Sequence, residues 1–481
     1  MSALIQATSS ISSSTVSDRS AMLEIDEDLI RRFNKLGPRY TSYPSADRFH
    51  TQFSNADYIA QLQARAANPT PAPLSVYVHL PFCASLCYYC ACNKVVTKDR
   101  SRSAVYLQYL EKELALLSQY MPEQQLTTQL HLGGGTPTFL SQDELAQLMQ
   151  MLRKYLQFTP DAELGIEIDP RTIDAPGMQF LASLGFNRTS LGVQDFDAAV
   201  QQAVHRVQPL AMVQQALQAS REHGFESVNF DLIYGLPKQT LASFDATLSQ
   251  VIALAPDRIA LYNYAHLPSR FKPQRRILEA DLPSAEQRLQ IFMLSLRRLL
   301  DAGYQYIGLD HFAKPDDSLA KAMHGASLHR NFQGYTTQAE CDLLALGVSA
   351  IGKLGNTYSQ SLRSLDDYYA ALDAGQLPLE KGFLLSQDDI LRRHVIMDLM
   401  CCKTLDFAAI QQEFGIDFRQ YFAPEIARLE EFVALGLITL DDKQLAITPR
   451  GRMFVRAVAM VFDDFLNRSN LSSGATYSKV I

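Results

Sequence analysis

The sequence predicts an α/β chain: a partial (βα)6 barrel carrying an N-terminal arm and a mainly helical C-terminal domain. Three observations predict it. Six short β-branched or aromatic runs, at 74–80, 128–132, 164–169, 188–193, 227–233 and 258–264, alternate with helix-period segments at 105–120, 142–156, 177–184, 211–223, 241–254 and 285–300. The units recur about 30 residues apart, the length of a strand, a crossover helix and two loops, so the strands run parallel with helices outside. Near Asp366 this rhythm gives way to helical periods. Six units are too few to close an eight-fold ring, so the barrel is open.

Taken in order, residues 1–21 form a leader with eight serines in the first 20 positions and no Lys or Arg before Arg19. It lacks both the charged and apolar regions of a signal peptide and the arginines of a transit peptide, and is expected to be disordered. Residues 22–73 make an arm and linker: a short helix, then Gly37-Pro-Arg-Tyr-Thr-Ser-Tyr-Pro44, whose prolines and glycine exclude a long element. The barrel spans 74–365. Within it Ser141-Gln-Asp-Glu144 is a capping box opening the second helix. Residues 366–481 are helical except at 436–448, a β-hairpin after a helix, which gives a winged-helix-like pattern. DNA is not its partner: the candidate recognition helix, 425–435, sets Arg428 alone against Glu425, Glu430 and Glu431.

A chain of 481 residues with 47% hydrophobic and 20% charged residues builds a large soluble core. The net charge of −7 argues against nucleic acid as the main partner. Four of the seven cysteines fall within ten residues, which suits metal ligation in a reducing compartment better than a disulfide framework. No run of 18 apolar residues offers a membrane span, and a cytoplasmic monomer is expected.

The chemistry is concentrated in Cys83-Ala-Ser-Leu-Cys87-Tyr-Tyr-Cys90, directly after the first strand. Three thiols at C-x3-C-x2-C can occupy three corners of a [4Fe–4S] cube, leaving one iron open to a small molecule. A structural zinc loop would want a second C-x2-C or C/H knuckle, and none follows. Reactive groups of parallel barrels gather at the carboxyl ends of the strands. There the sequence places Gly133-Gly-Gly-Thr-Pro-Thr138 after the second strand, Glu167 and Asp169 on the third, Gln194 and Asp195 after the fourth, Asp231 on the fifth and Asn263-Tyr264-Ala265 on the sixth. Neither G-x-G-x-x-G nor a P-loop is present, so the glycine run is not a nucleotide loop of either kind.

These motifs resemble the radical S-adenosylmethionine (SAM) enzymes, in which the open iron takes the amino and carboxylate groups of SAM. More closely, the chain resembles the oxygen-independent coproporphyrinogen III oxidase (dehydrogenase) family from about Asp26 to the C-terminus. The resemblance is carried by Arg39-Tyr-Thr-Ser-Tyr-Pro44, Tyr77-Val-His-Leu-Pro-Phe-Cys83, Cys87-Tyr-Tyr-Cys-Ala-Cys-Asn-Lys94, Ile166-Glu-Ile-Asp-Pro-Arg171, Gly192-Val-Gln-Asp-Phe196, Asp231-Leu-Ile-Tyr-Gly-Leu-Pro-Lys-Gln239 and Leu328-His-Arg-Asn-Phe-Gln-Gly-Tyr-Thr336. It implies that Cys83, Cys87 and Cys90 ligate the cluster. Tyr77, Gly134, Glu167 and Ile351 would hold the cluster-bound SAM, and Tyr89, Gly135, Thr136, Gln194, Arg206, Asp231 and Ala265 a second SAM. An Arg206–Asp231 ion pair is the alternative for the last site. Cys92, Glu167 and Tyr77 are the catalytic candidates, with Cys92 acting without ligating the cluster.

The implied reaction turns two propionates of coproporphyrinogen III into the vinyl groups of protoporphyrinogen IX. Each loses CO2 after a 5′-deoxyadenosyl radical abstracts hydrogen from its β-carbon, and two SAM are consumed. A one-electron donor such as flavodoxin or ferredoxin is the implied partner. Arg39, Lys94, His329 and Arg330 are the cations that could meet the substrate's carboxylates. The arm is expected to cover the substrate with Arg39, Tyr40 and Tyr43, and not to be needed for folding. Haem-binding chaperones share this fold; Cys92, the 39–44 arm and the 329–336 segment separate the chain from them.

Overall fold

The computed structural model describes residues 27–33, 35–122, 125–338 and 341–468; the Ser-rich leader lies outside them. Six parallel strands form the barrel in chain order: β1 (Leu74–Leu80), β2 (Leu126–Gly134), β3 (Gln157–Ile168), β4 (Arg188–Gln194), β5 (Ser227–Tyr234) and β6 (Arg258–Asn263). Helices Ser101–Ser118, Gln142–Tyr155, Ala175–Ser183, Leu210–Glu222, Leu241–Leu254 and Ala285–Asp301 follow them in turn. The expected partial barrel is therefore observed. Ser141 N donates to Glu144 Oε2 (2.8 Å) and Glu144 N to Ser141 Oγ (3.2 Å), so the capping box forms as read. β3 begins seven residues earlier than its apolar run, through a segment containing Pro160 that masks the strand signal.

The sheet continues past both barrel edges. Beside β6 lie β7 (Gln305–Gly308) and β8 (His311–Ala313), antiparallel. A hairpin of β9 (His329–Asn331) and β10 (Gly334–Thr336) stands apart as its own small sheet. On the other side β11 (Asp342–Leu346) runs parallel to β1, followed by β12 (Ile351–Leu354), β13 (Thr357–Ser361) and β14 (Leu379–Leu384), all antiparallel. The twelve-stranded order is β14-β13-β12-β11-β1-β2-β3-β4-β5-β6-β8-β7. β14 lies past residue 365, where the rhythm change suggested a boundary; its pairing to β13 keeps it with the sheet.

The arm differs from expectation in a way that matters for function. Helix Asn55–Ala66 was not anticipated, although its capping box, Ser54 with Asp57, was legible. Tyr40 and Tyr43 are 1% and 0% exposed and do not present aromatic faces to a ligand. Tyr40 Oη donates to Asp463 Oδ2 (2.9 Å), and Tyr43 Oη accepts from Asp464 N (3.2 Å) while its ring packs edge-on against Phe465. Arg456 donates to the carbonyls of Pro38 (3.1 Å) and Gly37 (2.5 Å). The arm is thus a structural strap onto the C-terminal helices, because two aromatic rings this large stabilise more by burial than by exposure. Arg39 lines a cavity, where it pairs with Asp310.

In the C-terminal part, a small sheet joins Leu405–Asp406, which precedes helices Phe407–Phe414 and Ala423–Ala434, to Ile438–Leu440 and Gln444–Ile447, which follow them. The expected hairpin is present. Glu425 is not a surface charge: it is buried and paired to Arg392 (3.0 Å).

Candidate active site

β1 delivers the cysteine loop to the carboxyl rim. A two-residue parallel bridge, Phe82–Cys83 with Val95–Val96, closes the neck of the loop. Inside it Lys94 Nζ donates to the carbonyls of Cys90 (3.2 Å) and Cys92 (3.3 Å), fixing the turn that carries the last two thiols. The three glycines allow close packing, Gly135 against the start of this loop, Gly134 against His79 and Gly133 against Glu167. A Cβ on Gly135 would lie 2.6 Å from the Pro81 carbonyl carbon, and one on Gly133 2.7 Å from Glu167 Oε1. Gly134 adopts φ +108°, and its N–H donates to Glu167 Oε2 (3.2 Å).

A cavity of about 170 Å³ lies where the loop meets the rim. Cys83, Cys87, Cys90, Cys92, Tyr89, Gly134, Gly135, Thr136, Glu167, Gln194, Arg206 and Asp231 all line it, twelve of the fifteen residues named from the sequence. Cys92 is solvent-accessible because it faces this opening. Tyr77, Ala265 and Ile351 do not line it. Tyr77 stands on β1 behind the rim, where its Oη donates to His79 Nδ1 (3.1 Å) if His79 Nε2 donates to the Asn93 carbonyl (2.9 Å). Ala265 approaches from the sixth loop: buried Gln274 Nε2 donates to its carbonyl (3.2 Å) and to that of Tyr89 (3.0 Å), tying the two loops together. Ile351 begins β12 and packs beside Phe49 and Tyr358.

The donor set fits an iron–sulfur cluster. Among the described residues no three His, Cys, Asp or Glu side chains converge on a single ion; the thiols instead surround a cavity. The sulfurs are met by hydrogen-bond donors: Thr136 Oγ1 to Cys83 (3.5 Å), Arg206 Nη1 to Cys87 (3.6 Å) and Arg171 Nη2 to Cys87 (3.7 Å). Such donors stabilise thiolate ligands. Burial pushes the Cys83 thiol up to about 11. Cys90 is held down to about 6, first by a hydrogen bond from Cys92 and, against burial, by the charge of Lys94.

Arg206 does not pair with Asp231. It is 7% exposed and donates to Asp169 (3.1 Å) and to the Gly192 carbonyl (2.7 Å), while its Nε has no hydrogen-bond partner. Asp231 accepts from Ser190 (2.8 Å) and Asn229 (2.9 Å); burial pushes its carboxyl up to about 6. Burial also acts on Glu167, but the hydrogen bond from His131 (3.2 Å) and the Gly134 N–H outweigh it and hold the carboxylate below its usual range. Gln194 reaches the cavity from a left-handed backbone, φ +65°, an uncommon conformation for a side-chain-bearing residue. His79, His131, Arg171 and Gln274 were not named from sequence as site residues, and Asp169 was placed on the rim without a role. For the two histidines the signal was present, since Tyr77 and His79 alternate onto one face of β1 and His131 lies opposite Tyr77 on β2.

An open parallel barrel with three thiols on its first loop is the architecture of a radical SAM enzyme, and residues 77–251 match the radical SAM superfamily. Residues 385–454 match the HemN C-terminal domain. The chain is 52% identical over 447 residues to the oxygen-independent coproporphyrinogen III oxidase of Pseudomonas aeruginosa, covering 92% of this chain and 97% of that protein. It is 46% identical to the Escherichia coli protein of the same name over the same shares. The solved structure of coproporphyrinogen III oxidase (HemN) from Escherichia coli, a radical SAM enzyme, superposes with a TM-score of 0.87 at 44% identity, over 92% of this chain and all of that one. The chain belongs to the oxygen-independent coproporphyrinogen III oxidase family, and its cofactors are a [4Fe–4S] cluster and SAM. No described helix is long and apolar enough to cross a membrane.

Proposed function

We propose that this enzyme oxidatively decarboxylates two propionates of coproporphyrinogen III to give protoporphyrinogen IX, consuming two SAM. The observation that carries the reading is the single cavity in which three thiols face Glu167, Arg206 and Asp231. The cluster, when bound, supplies the electron that opens the sulfonium of SAM. Cys83, Cys87 and Cys90 are its ligands, and Lys94 holds their loop closed.

Glu167, kept ionised by His131 and Gly134, suits the ammonium of the cluster-bound SAM, with Gly134, Tyr77 and Ile351 completing that site. Tyr77 and His131 stack at 6.1 Å and hold the wall beside Glu167 in place. The second SAM falls to Tyr89, Gly135, Thr136, Gln194, Arg206, Asp231 and Ala265. Here the unpartnered Nε of Arg206 is a donor for a carboxylate, and Gln274 fixes the spacing of Tyr89 and Ala265. Cys92 faces the cavity from two residues past the last ligand, placed to act on substrate. An external one-electron donor, in a reducing cytoplasm, feeds the cluster.

Anaerobic assay of the reconstituted enzyme with coproporphyrinogen III, SAM and a reductant tests this reading. Protoporphyrinogen IX and CO2 are expected; SAM cleavage that leaves coproporphyrinogen untouched would overturn it.

A further inference from the structure

A second, larger cavity lies at the opposite end of the barrel. It measures about 550 Å³ and is lined by the residues before β1, the start of β11, the β9–β10 hairpin and helix Gln387–Met400. Five arginines and lysines line it against two aspartates, Asp342 and Asp398. Asp342 is shared by Arg65 (2.5 Å) and Lys353 (3.3 Å), and Asp398 is met by Lys403 (3.1 Å), so the wall keeps a positive surplus in a protein of net charge −7. This volume is of the size that holds a large organic ligand.

The two cavities each share lining residues with a third, inside the barrel. This interior cavity, of about 180 Å³, shares Glu167, Ser190 and Asp231 with the cysteine-loop cavity and Thr336 with the basic one. The hairpin forms the divider, and Arg330 is its cation. Arg330 is 6% exposed, its guanidinium lies 4.7 Å over the Tyr335 ring, and its Nε and Nη1 have no hydrogen-bond partner. Two more buried nitrogens nearby are also unpartnered: His311 Nδ1 and Gln333 Nε2, both lining the interior cavity. A buried guanidinium with two idle donors is costly unless an anion meets it. Its positive field is felt locally: His311 is held down to about 3, first by burial and then by the charge of Arg330.

We propose that Arg330 binds a propionate carboxylate of a tetrapyrrole lodged in the basic cavity, so that the macrocycle enters at the amino end of the barrel while SAM occupies the carboxyl rim. The ring rests in the 550 Å³ space, and a propionate-bearing edge passes Thr336 into the interior toward Glu167 and Asp231. The charge of a guanidinium and its idle N–H donors suit a carboxylate. Arg330 is then a positioning residue. This inference rests on the decarboxylase reading for the identity of the ligand.

The test uses the reconstituted holoenzyme and two measurements: affinity for coproporphyrin III, the stable oxidised tetracarboxylate, by fluorescence titration, and anaerobic steady-state kinetics with coproporphyrinogen III. Arg330→Gln should weaken porphyrin binding and raise KM by about tenfold or more, with a much smaller change in kcat and unchanged cluster absorbance. Arg330→Lys should recover part of the loss. Parental affinity and KM in Arg330→Gln would overturn the proposal, and so would loss of the cluster absorbance in step with affinity, which marks a structural role. Should Arg330→Gln not fold, Arg330→Lys decides: weakened porphyrin binding supports the proposal and parental binding overturns it. Failure of the parent enzyme to turn over coproporphyrinogen while still binding coproporphyrin would sink the decarboxylase reading alone.

Discussion

Arg206 serves two groups at once, the sulfur of Cys87, a proposed cluster ligand, and the Asp169 carboxylate. Replacing it by alanine removes a donor from a thiolate, which leaves more electron density on the cluster. Arg206→Ala is therefore expected to keep the cluster, lower its midpoint potential in an EPR-monitored redox titration, and bind one SAM per chain in equilibrium dialysis where the parent binds two. An unchanged potential would remove the Cys87 contact from the account. Cys92→Ser is expected to retain iron at the parental level and lose turnover; loss of iron would make Cys92 a ligand. At this scale the thiols were legible because spacing alone defines a loop that can hold three sulfurs. The pairings of Asp169 and Arg171 were not, because Arg206 reaches Asp169 from 37 residues away and Cys87 lies 84 residues from Arg171.

Among the elements, the arm and the first crossover helix carry separate predictions. Tyr40 donates to a buried Asp463, so Tyr40→Phe should destabilise the fold by about 1–3 kcal/mol in denaturant unfolding. Deleting residues through Pro44 should destabilise the C-terminal helices, since Tyr43 and the Gly37 and Pro38 carbonyls are used there. Glu113, 3% exposed on helix Ser101–Ser118, accepts from Tyr368 Oη (2.6 Å) and Gly347 N (2.7 Å). Burial pushes its carboxyl up to about 7, against which the two hydrogen bonds act. The folded state therefore holds a proton that the unfolded chain releases near pH 4.5. Stability should fall as pH rises from about 4.5 to 7, by roughly 3 kcal/mol, and Glu113→Gln should flatten that slope. A slope unchanged by the substitution would assign the proton elsewhere. The six βα units were legible because each strand and helix is long enough to show its period. Strands β7 to β13 were not: with three to five residues each, they are too short for alternation to emerge.

At the scale of the whole molecule, the barrel divides its labour between its ends. The carboxyl rim gathers soft sulfurs and the groups suited to SAM, and the amino end gathers cations around a larger space. The rim was legible, since strand order alone sends those loops to one edge. The basic cavity was not, because its walls come from the arm, the hairpin and the C-terminal helices, whose meeting is set by tertiary packing. The central claim is that one cysteine-lined cavity serves two SAM-dependent decarboxylations of one tetrapyrrole. Quantifying products of a single anaerobic reaction tests it most directly. Two 5′-deoxyadenosine and two CO2 per protoporphyrinogen IX are predicted; 5′-deoxyadenosine without CO2, or haem retained on the protein with no coproporphyrinogen consumed, would contradict it.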